Sequence, residues 1–223
     1  MTDLESSGVV LQWRTLCIDD LDRIYALHVE ATDRVGRPDL IRPETPDFFA
    51  KMLTTHGQMT GVFDDKGLVA YGVLQWDLSI EEDPFGPLRI NRETRLAKFA
   101  GSSVRPSWWG HGLHSRLISS RIATARSLGF ANAYSTSAPG NHRSWTNLID
   151  EGFRIRALKE QYGGHLRFLL LKDLKADITF DPVEWISDED IDGQRRLLAA
   201  GCEGFGWRHK GGSHEILFGR ARR

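Results

Sequence analysis

The sequence predicts an α/β domain, on three observations. Short apolar runs alternate with stretches of helical period, short turns join them, and the central run from Leu96 to Val104 breaks into glycines that open a helix. The 223 residues suit one large domain, or a domain with an appendage, and can bury a substantial core.

Composition bounds the setting. Hydrophobic residues make up 40% and charged residues 26%, ordinary for a soluble globular protein, and the formal net charge of -1 gives no global reason to expect nucleic acid or an anionic membrane as partner. Cys17 and Cys202 suggest no disulfide framework, in keeping with a reducing compartment. No apolar run approaches membrane-spanning length, and the acidic start MTDLESSG is unlike a signal peptide, so a cytoplasmic protein with no membrane partner is expected.

In chain order, Val9 to Trp13 reads as the first strand. Asp19 and Asp20 can cap the next helix, which runs to about Thr32 with Leu21, Ile24, Tyr25 and Leu27 to Val29 on its buried side. Prolines disfavour regular structure from Val35 to Pro46, and a second helix follows from about Asp47 to Thr55. Gln58 to Phe63 and Leu68 to Trp76 form a hairpin through the turn Asp64 to Gly67. Asp77 to Arg92, with its acidic run Ile80-Glu81-Glu82-Asp83, reads as an exposed loop.

Leu96 to Val104 is a buried strand. The helix from about Gly112 to Leu128 places Leu113, Leu117, Ile118, Ile122, Ala125 and Leu128 within half its circumference. Ala131 to Ser137 is a strand, and another helix closes on Gly152-Phe153. Arg154 to Leu158 and His165 to Leu171 are strands on either side of the turn Gln161 to Gly164, so that residues 1–174 form one domain. Residues 175–223 form a strand-helix-strand extension packed on the same domain: a strand near Ile178 to Phe180, a helix from Ser187 to Ala199, and a strand from Glu215 to Gly219. Glycine density from Gly201 to Gly212 predicts a mobile loop between the last two, and not a phosphate loop, since no Gly-Lys-Ser/Thr ending precedes a helix. The basic end, Arg220, Arg222 and Arg223, reads as solvated.

Two stretches carry chemistry. In Val104-Arg105-Pro106-Ser107-Trp108-Trp109-Gly110-His111-Gly112-Leu113, glycines let main-chain N–H groups approach a ligand, and the helix start adds unpaired donors and a positive dipole end, which makes an anion site. Asn141-His142-Arg143-Ser144, eleven residues before Gly152, sets an amide at a nearby strand-to-helix junction. Val-x-Pro-x-aromatic-x-Gly-x-Gly-Leu, followed by Asn-x-x-Ser and Gly-Phe, resembles the two core motifs of the GNAT superfamily of acyl-CoA-dependent N-acyltransferases over roughly residues 9 to 174.

The resemblance implies a central mixed β-sheet splayed between its fourth and fifth strands, helices on both faces, and acetyl-CoA as acyl donor in the splay. It nominates Trp109, Gly110, His111, Gly112, Leu113 and His114 as the diphosphate cradle and Ser102, Ser103 and Val104 as the edge that pairs with the pantetheine amides. It also nominates Asn141, with Ser144 of the same motif, for the pantetheine arm. The two helices before Thr55 and the loop between them would lie over the acceptor, where Arg34, Arg37 and Arg42 are either solvated or recognise a carboxylate or phosphate. The acidic run at 80–83 is either bland or an electronegative rim that attracts an ammonium group.

Departures from the family pattern are informative. Trp109 replaces the usual Arg or Gln, and His114 a Gly or Ala, where a protonated imidazole would add charge to the cradle. Trp108 and Trp109 read as packing residues. Leu148 stands where many members carry the tyrosine that reprotonates the thiolate, and Thr136 where some carry an acid. A thiol with a pKa of about 8.5 leaves without a strong dedicated acid, so the mechanism is weakened and not removed. Candidates for proton transfer are Glu93 before the central strand, His142 as base, and Tyr162 as acid if its turn folds over the slot. No His/Cys/Asp/Glu cluster has metal-ligand spacing, so no metal is expected.

The sequence therefore predicts an N-acetyltransferase that moves the acyl group directly to a primary amine of a small molecule. Two rivals stay open: the same fold with a larger acyl-CoA or an aminoacyl-tRNA as donor, tRNA being a partner only in that case, and an inactive CoA-binding sensor. Homodimers are common in the resembled family.

Overall fold

The computed structural model describes residues 10–79 and 83–222. Val9, Ile80 to Glu82 and Arg223 lie outside the described residues, so the first residue of the expected opening strand and most of the expected acidic rim do too.

Among the described residues, ten strands form one sheet. β1 (Gln12–Thr15), β2 (Gly57–Asp64), β3 (Gly67–Gln75) and β4 (Leu96–Val104) follow one another antiparallel. β5 (Asn132–Ser137) lies parallel to β4, the connection being a helical crossover. Beyond β5 come β7 (His165–Asp173) and β6 (Arg154–Gln161), then β9 (Glu203–Lys210), β10 (Ser213–Ala221) and β8 (Phe180–Ser187). The mixed sheet is the one expected, and the structure adds that its fourth and fifth strands are parallel.

Helices cover both faces. α1 (Leu21–Val35) and α2 (Pro46–Thr54) bury Ile24, Leu27, Phe49 and Met52 against Met59, Tyr71 and Val73, and the short α3 (Phe85–Leu88) adds Leu88 on Tyr134 and Leu169. On the other face, α4 (Leu113–Ser127), α5 (His142–Asp150) and α6 (Ile191–Ala199) share a core with Phe99, Phe153, Phe168 and Ile216. Local chemistry sets the boundaries: Pro46 occupies the first position of α2, and the Thr45 hydroxyl accepts from the Phe48 N–H. α1 buries His28 and Ala31, whereas Tyr25 and Val29, expected inside, are exposed. α4 buries Arg121 within its apolar stripe, and Leu128 is exposed because the helix has already ended. No described helix is long and apolar enough to cross a membrane.

The extension departs from its expected form. The glycine-dense stretch predicted to be mobile is β9, so residues 175–222 add three strands to the same sheet, with α6 between the first two. Glycine here serves close approach: a Cβ on Gly204 would come within 3.0 Å of Ile216 and 3.2 Å of Ile155, and one on Gly219 within 2.5 Å of the Asp181 carbonyl oxygen. β6 and β9 share a single register pair, Ile155 with Gly204, and Glu203 reinforces it by pairing with both Arg154 (2.9 Å) and Arg156 (3.2 Å). Glu203→Ala leaves two largely buried guanidinium groups without their carboxylate and is expected to destabilise the fold by about 3–5 kcal/mol in urea unfolding; a change within experimental error would show the junction held by packing alone.

Candidate functional site

β4 and β5 are in register only from Leu96 opposite Asn132 to Phe99 opposite Ser135. Past that pair β4 continues beside β3 and β5 beside β7, and a cleft of about 830 Å³ opens between them, with Ala100 to Val104 on one wall and Thr136 to Ala138 on the other. This is the splay between the fourth and fifth strands. On its closed side, Ala100 and Gly101 together face Val73, a β-bulge that turns the strand.

Arg121 of α4 sits beneath the bulge. It is 3% exposed, and its Nη1 donates to the Val73 carbonyl at 3.3 Å and the Gly101 carbonyl at 3.4 Å, one from each strand. Burial lowers its pKa to about 9, which leaves a cation at neutral pH. A Cβ on Gly72 would lie 3.0 Å from its Nε, so glycine makes the room.

The far end of the cleft is the start of α4. Gly110 and Gly112 are left-handed (φ 85° and 71°), and a Cβ on either would meet nothing within 4 Å. The first-turn N–H groups of Leu113, His114 and Ser115 have no intrahelical acceptor, and all three residues line the cleft. The Trp109 indole donates to the Val104 carbonyl at 2.7 Å and the Trp108 indole to Asp64 at 3.3 Å, and these hydrogen bonds fix the turn. His111 is exposed against Trp108 and does not line the cleft, unlike the other nominated cradle residues. His114 is neutral: burial and the nearby Arg121 charge lower its pKa to about 4, and its Nδ1 accepts from the Asn147 amide at 2.8 Å. The condition under which it would add charge to the cradle is therefore not met, and its Nε2–H is the donor it offers.

At the start of α5, Asn141 and Ser144 line the cleft, and the buried Leu148, one turn further along, lines it too with an apolar side chain. His142 lies at the rim. Its Nε2 is 2.5 Å from the buried Asp188 carboxylate, and its ring stacks on His214 at 4.1 Å. The expectation of no metal-ligating cluster is corrected to this extent: ligand atoms of His142, Asp188 and His214 lie within 4.8 Å of one another. Spacings of 46 and 26 residues hid the set from the sequence. Stacked rings direct their in-plane lone pairs side by side, so an ion would require them to rotate.

Tyr162 does fold over the slot. It occupies the β6–β7 turn at φ 53°, followed by Gly163 and Gly164 at 83° and 99°, and that strained conformation brings its hydroxyl to 3.4 Å from Thr136 Oγ1 and 3.3 Å from Lys98 Nζ. Arg42 lies 4.6 Å over its ring. Glu93, by contrast, is exposed in the turn before β4 and does not line the cleft, so the suggested proton relay has no support there.

Opposite β4, a buried chain ties the acceptor loop to the wall. Ser103 Oγ donates to the Tyr71 hydroxyl at 3.1 Å, that oxygen is 3.0 Å from His28 Nδ1, and His28 Nε2 accepts the Glu44 main-chain N–H at 2.9 Å. A neutral ring that accepts at Nε2 carries its proton on Nδ1. Burial lowers the His28 pKa and raises that of Tyr71. His28, Glu44, Tyr71, Lys98, Arg121 and Arg167 all line the cleft and were missed from sequence. The available signal was a charged residue inside an apolar strand, Lys98 in LAKFA and Arg167 in HLRFLLL.

Both His28 and His114 have pKa values below the unfolded value of about 6.5, so the unfolded chain binds protons that the folded chain resists. Their stabilisation is complete above pH 6.5 and is lost as the pH falls below it. The melting temperature is expected to fall between pH 7 and 5, with a shallower slope in His114→Gln; equal slopes in the two proteins would contradict the neutral His114.

No family model and no curated protein matches the sequence. Solved structures do match in fold. The ribosomal-protein-S18-alanine N-acetyltransferase of Escherichia coli superposes with a TM-score of 0.58 at 14% identity, over 75% of this chain and 96% of that one. An N-acetyltransferase of Staphylococcus aureus Mu50 gives 0.57 at 16%, over 74% and 99%. A GNAT-superfamily phosphinothricin acetyltransferase of Sinorhizobium meliloti, solved in complex with AcCoA, gives 0.56 at 14%, over 73% and 88%. With its sheet parted between the fourth and fifth strands, the chain has the fold of the GNAT-superfamily N-acetyltransferases.

Proposed function

We propose that the protein transfers an acyl group, acetyl in the first instance, from acyl-CoA to the amine of a small molecule by direct attack. The observation that carries this reading is the parted β4–β5 edge, a cleft that ends on the open N-terminus of α4. The residues present fit the donor. Two glycines leave the cradle clear, first-turn N–H groups suit a diphosphate, and the β5-facing main chain of Ala100 to Val104 is free to pair with amides.

An amine attacks as the free base, forming the N–C bond as the C–S bond breaks. A main-chain N–H at the bulge of Ala100 and Gly101 polarises the thioester carbonyl, and Arg121 holds that backbone from below. The departing thiolate takes a proton from the Tyr162 hydroxyl, in place of the absent motif tyrosine. Glu44, the acid that lines the cleft on the acceptor side, receives the ammonium proton. His142 is the rival base, since Asp188 holds its Nε2 and leaves Nδ1 to accept.

Calorimetry should show 1:1 binding of acetyl-CoA, and a free-thiol release assay should show turnover on a subset of small primary amines. Binding without turnover on any amine would favour a sensor, and absence of binding would remove the reading. Tyr162→Phe is expected to lower kcat roughly 100-fold with donor affinity intact. The pH–rate profile assigns the base: Glu44→Gln should abolish the acidic limb that His142→Asn retains, and the reverse result would move the role to His142.

A further inference from the structure

We infer that the acceptor carries an anionic oxygen group, a carboxylate or phosphonate, which the Arg167 guanidinium receives beside Tyr162, with Arg42 at the rim. The inference rests on the acyl-transfer reading and names the substrate class of that site.

Arg167 of β7 is 4% exposed and lines the cleft. Its Nη1 donates to the Leu166 carbonyl at 2.9 Å, but its Nη2 is buried and has no hydrogen-bond partner among the described residues. A buried cation normally has its donors satisfied, because lost hydration is otherwise uncompensated. Asp39, the acid whose charge acts on Arg167, is already held by Arg37 through two hydrogen bonds of 2.9 and 2.7 Å. The surroundings point the same way. Arg42, Lys98 and Arg167 lie 4.6, 5.7 and 5.9 Å from the centre of the one Tyr162 ring, and among the described residues lining the cleft Glu44 is the only acid.

The donor does not account for this second positive region. The diphosphate cradle adjoins Val104, whereas Tyr162 meets Lys98, six residues back along β4 and hence about 20 Å away. An amine whose anionic group pairs with Arg167 would sit with its nitrogen held between the bulge and Tyr162. Planar guanidinium donors suit carboxylate and phosphonate oxygens alike.

The test is steady-state kinetics on matched acceptors: amino acids, their carboxamides, and aminomethylphosphonate. In the wild type, kcat/KM for the anionic member should exceed that for the neutral one by about 30-fold or more. Arg167→Gln should bring the ratio close to 1 through loss on the anionic member, and the exposed Arg42→Gln should lower it in part, which keeps the claim testable if the buried variant does not fold. Calorimetry with acetyl-CoA reports the donor site in each variant separately. A wild type indifferent to acceptor charge, or ratios unchanged in both variants, overturns the inference. If the wild type fails to bind acetyl-CoA, the acyl-transfer reading falls instead, and direct titration of the same amines decides whether the anion site stands.

Discussion

β4 has two strand neighbours at its start and one at its end, and the remaining organisation follows from that asymmetry. Four residues pair with β5, and the next five leave one edge of main-chain donors and acceptors without a strand to meet them. Buried main-chain groups rarely stay unpaired, so such an edge must be solvated or must receive a guest. The bulge opposite Val73 turns the strand, and Arg121 bridges the carbonyls on its two sides, so the opening is held in place by a buried cation whose hydrogen-bond partners among the described residues are main-chain carbonyls. The α4 N-terminus adds a second set of unused donors at the end of the same wall.

Much of this was legible in sequence because it is local. Gly110 and Gly112 announce a left-handed turn, the run from Leu113 to Ala125 announces one buried face, and Asn141 follows a strand at a readable distance. Groups that meet through the sheet were not legible. Lys98 and Arg167 sit on strands whose neighbours contribute Thr136 and Tyr162, and nothing in the linear order reveals that one ring gathers three cations. His142, Asp188 and His214 are likewise brought together only by tertiary packing. The glycines of β9 misled for a related reason: the same residue that permits mobility in a free segment permits close contact in a packed strand.

The segment after Leu174 is more than an addition to the edge. It reaches the start of α5 through Asp188 on His142, and it packs along that helix through Trp207, whose indole donates to Asp150 at 2.8 Å and meets Trp145 edge to face. Because α5 presents Asn141 to the cleft, the extension supports one wall of the opening. The acceptor side is fixed from the other face of the sheet, where Ser103, Tyr71, His28 and the Glu44 backbone form one chain from β4 to the loop between α1 and α2.

The central claim is that main-chain donors along the free edge of β4 and at the start of α4 grip a thioester carrying a diphosphate. Hydrogen–deuterium exchange with and without acetyl-CoA reads those donors directly. Slowed exchange confined to residues 100–104 and 110–115 is the predicted result, while protection elsewhere, or unchanged exchange in both segments at saturating ligand, would contradict it.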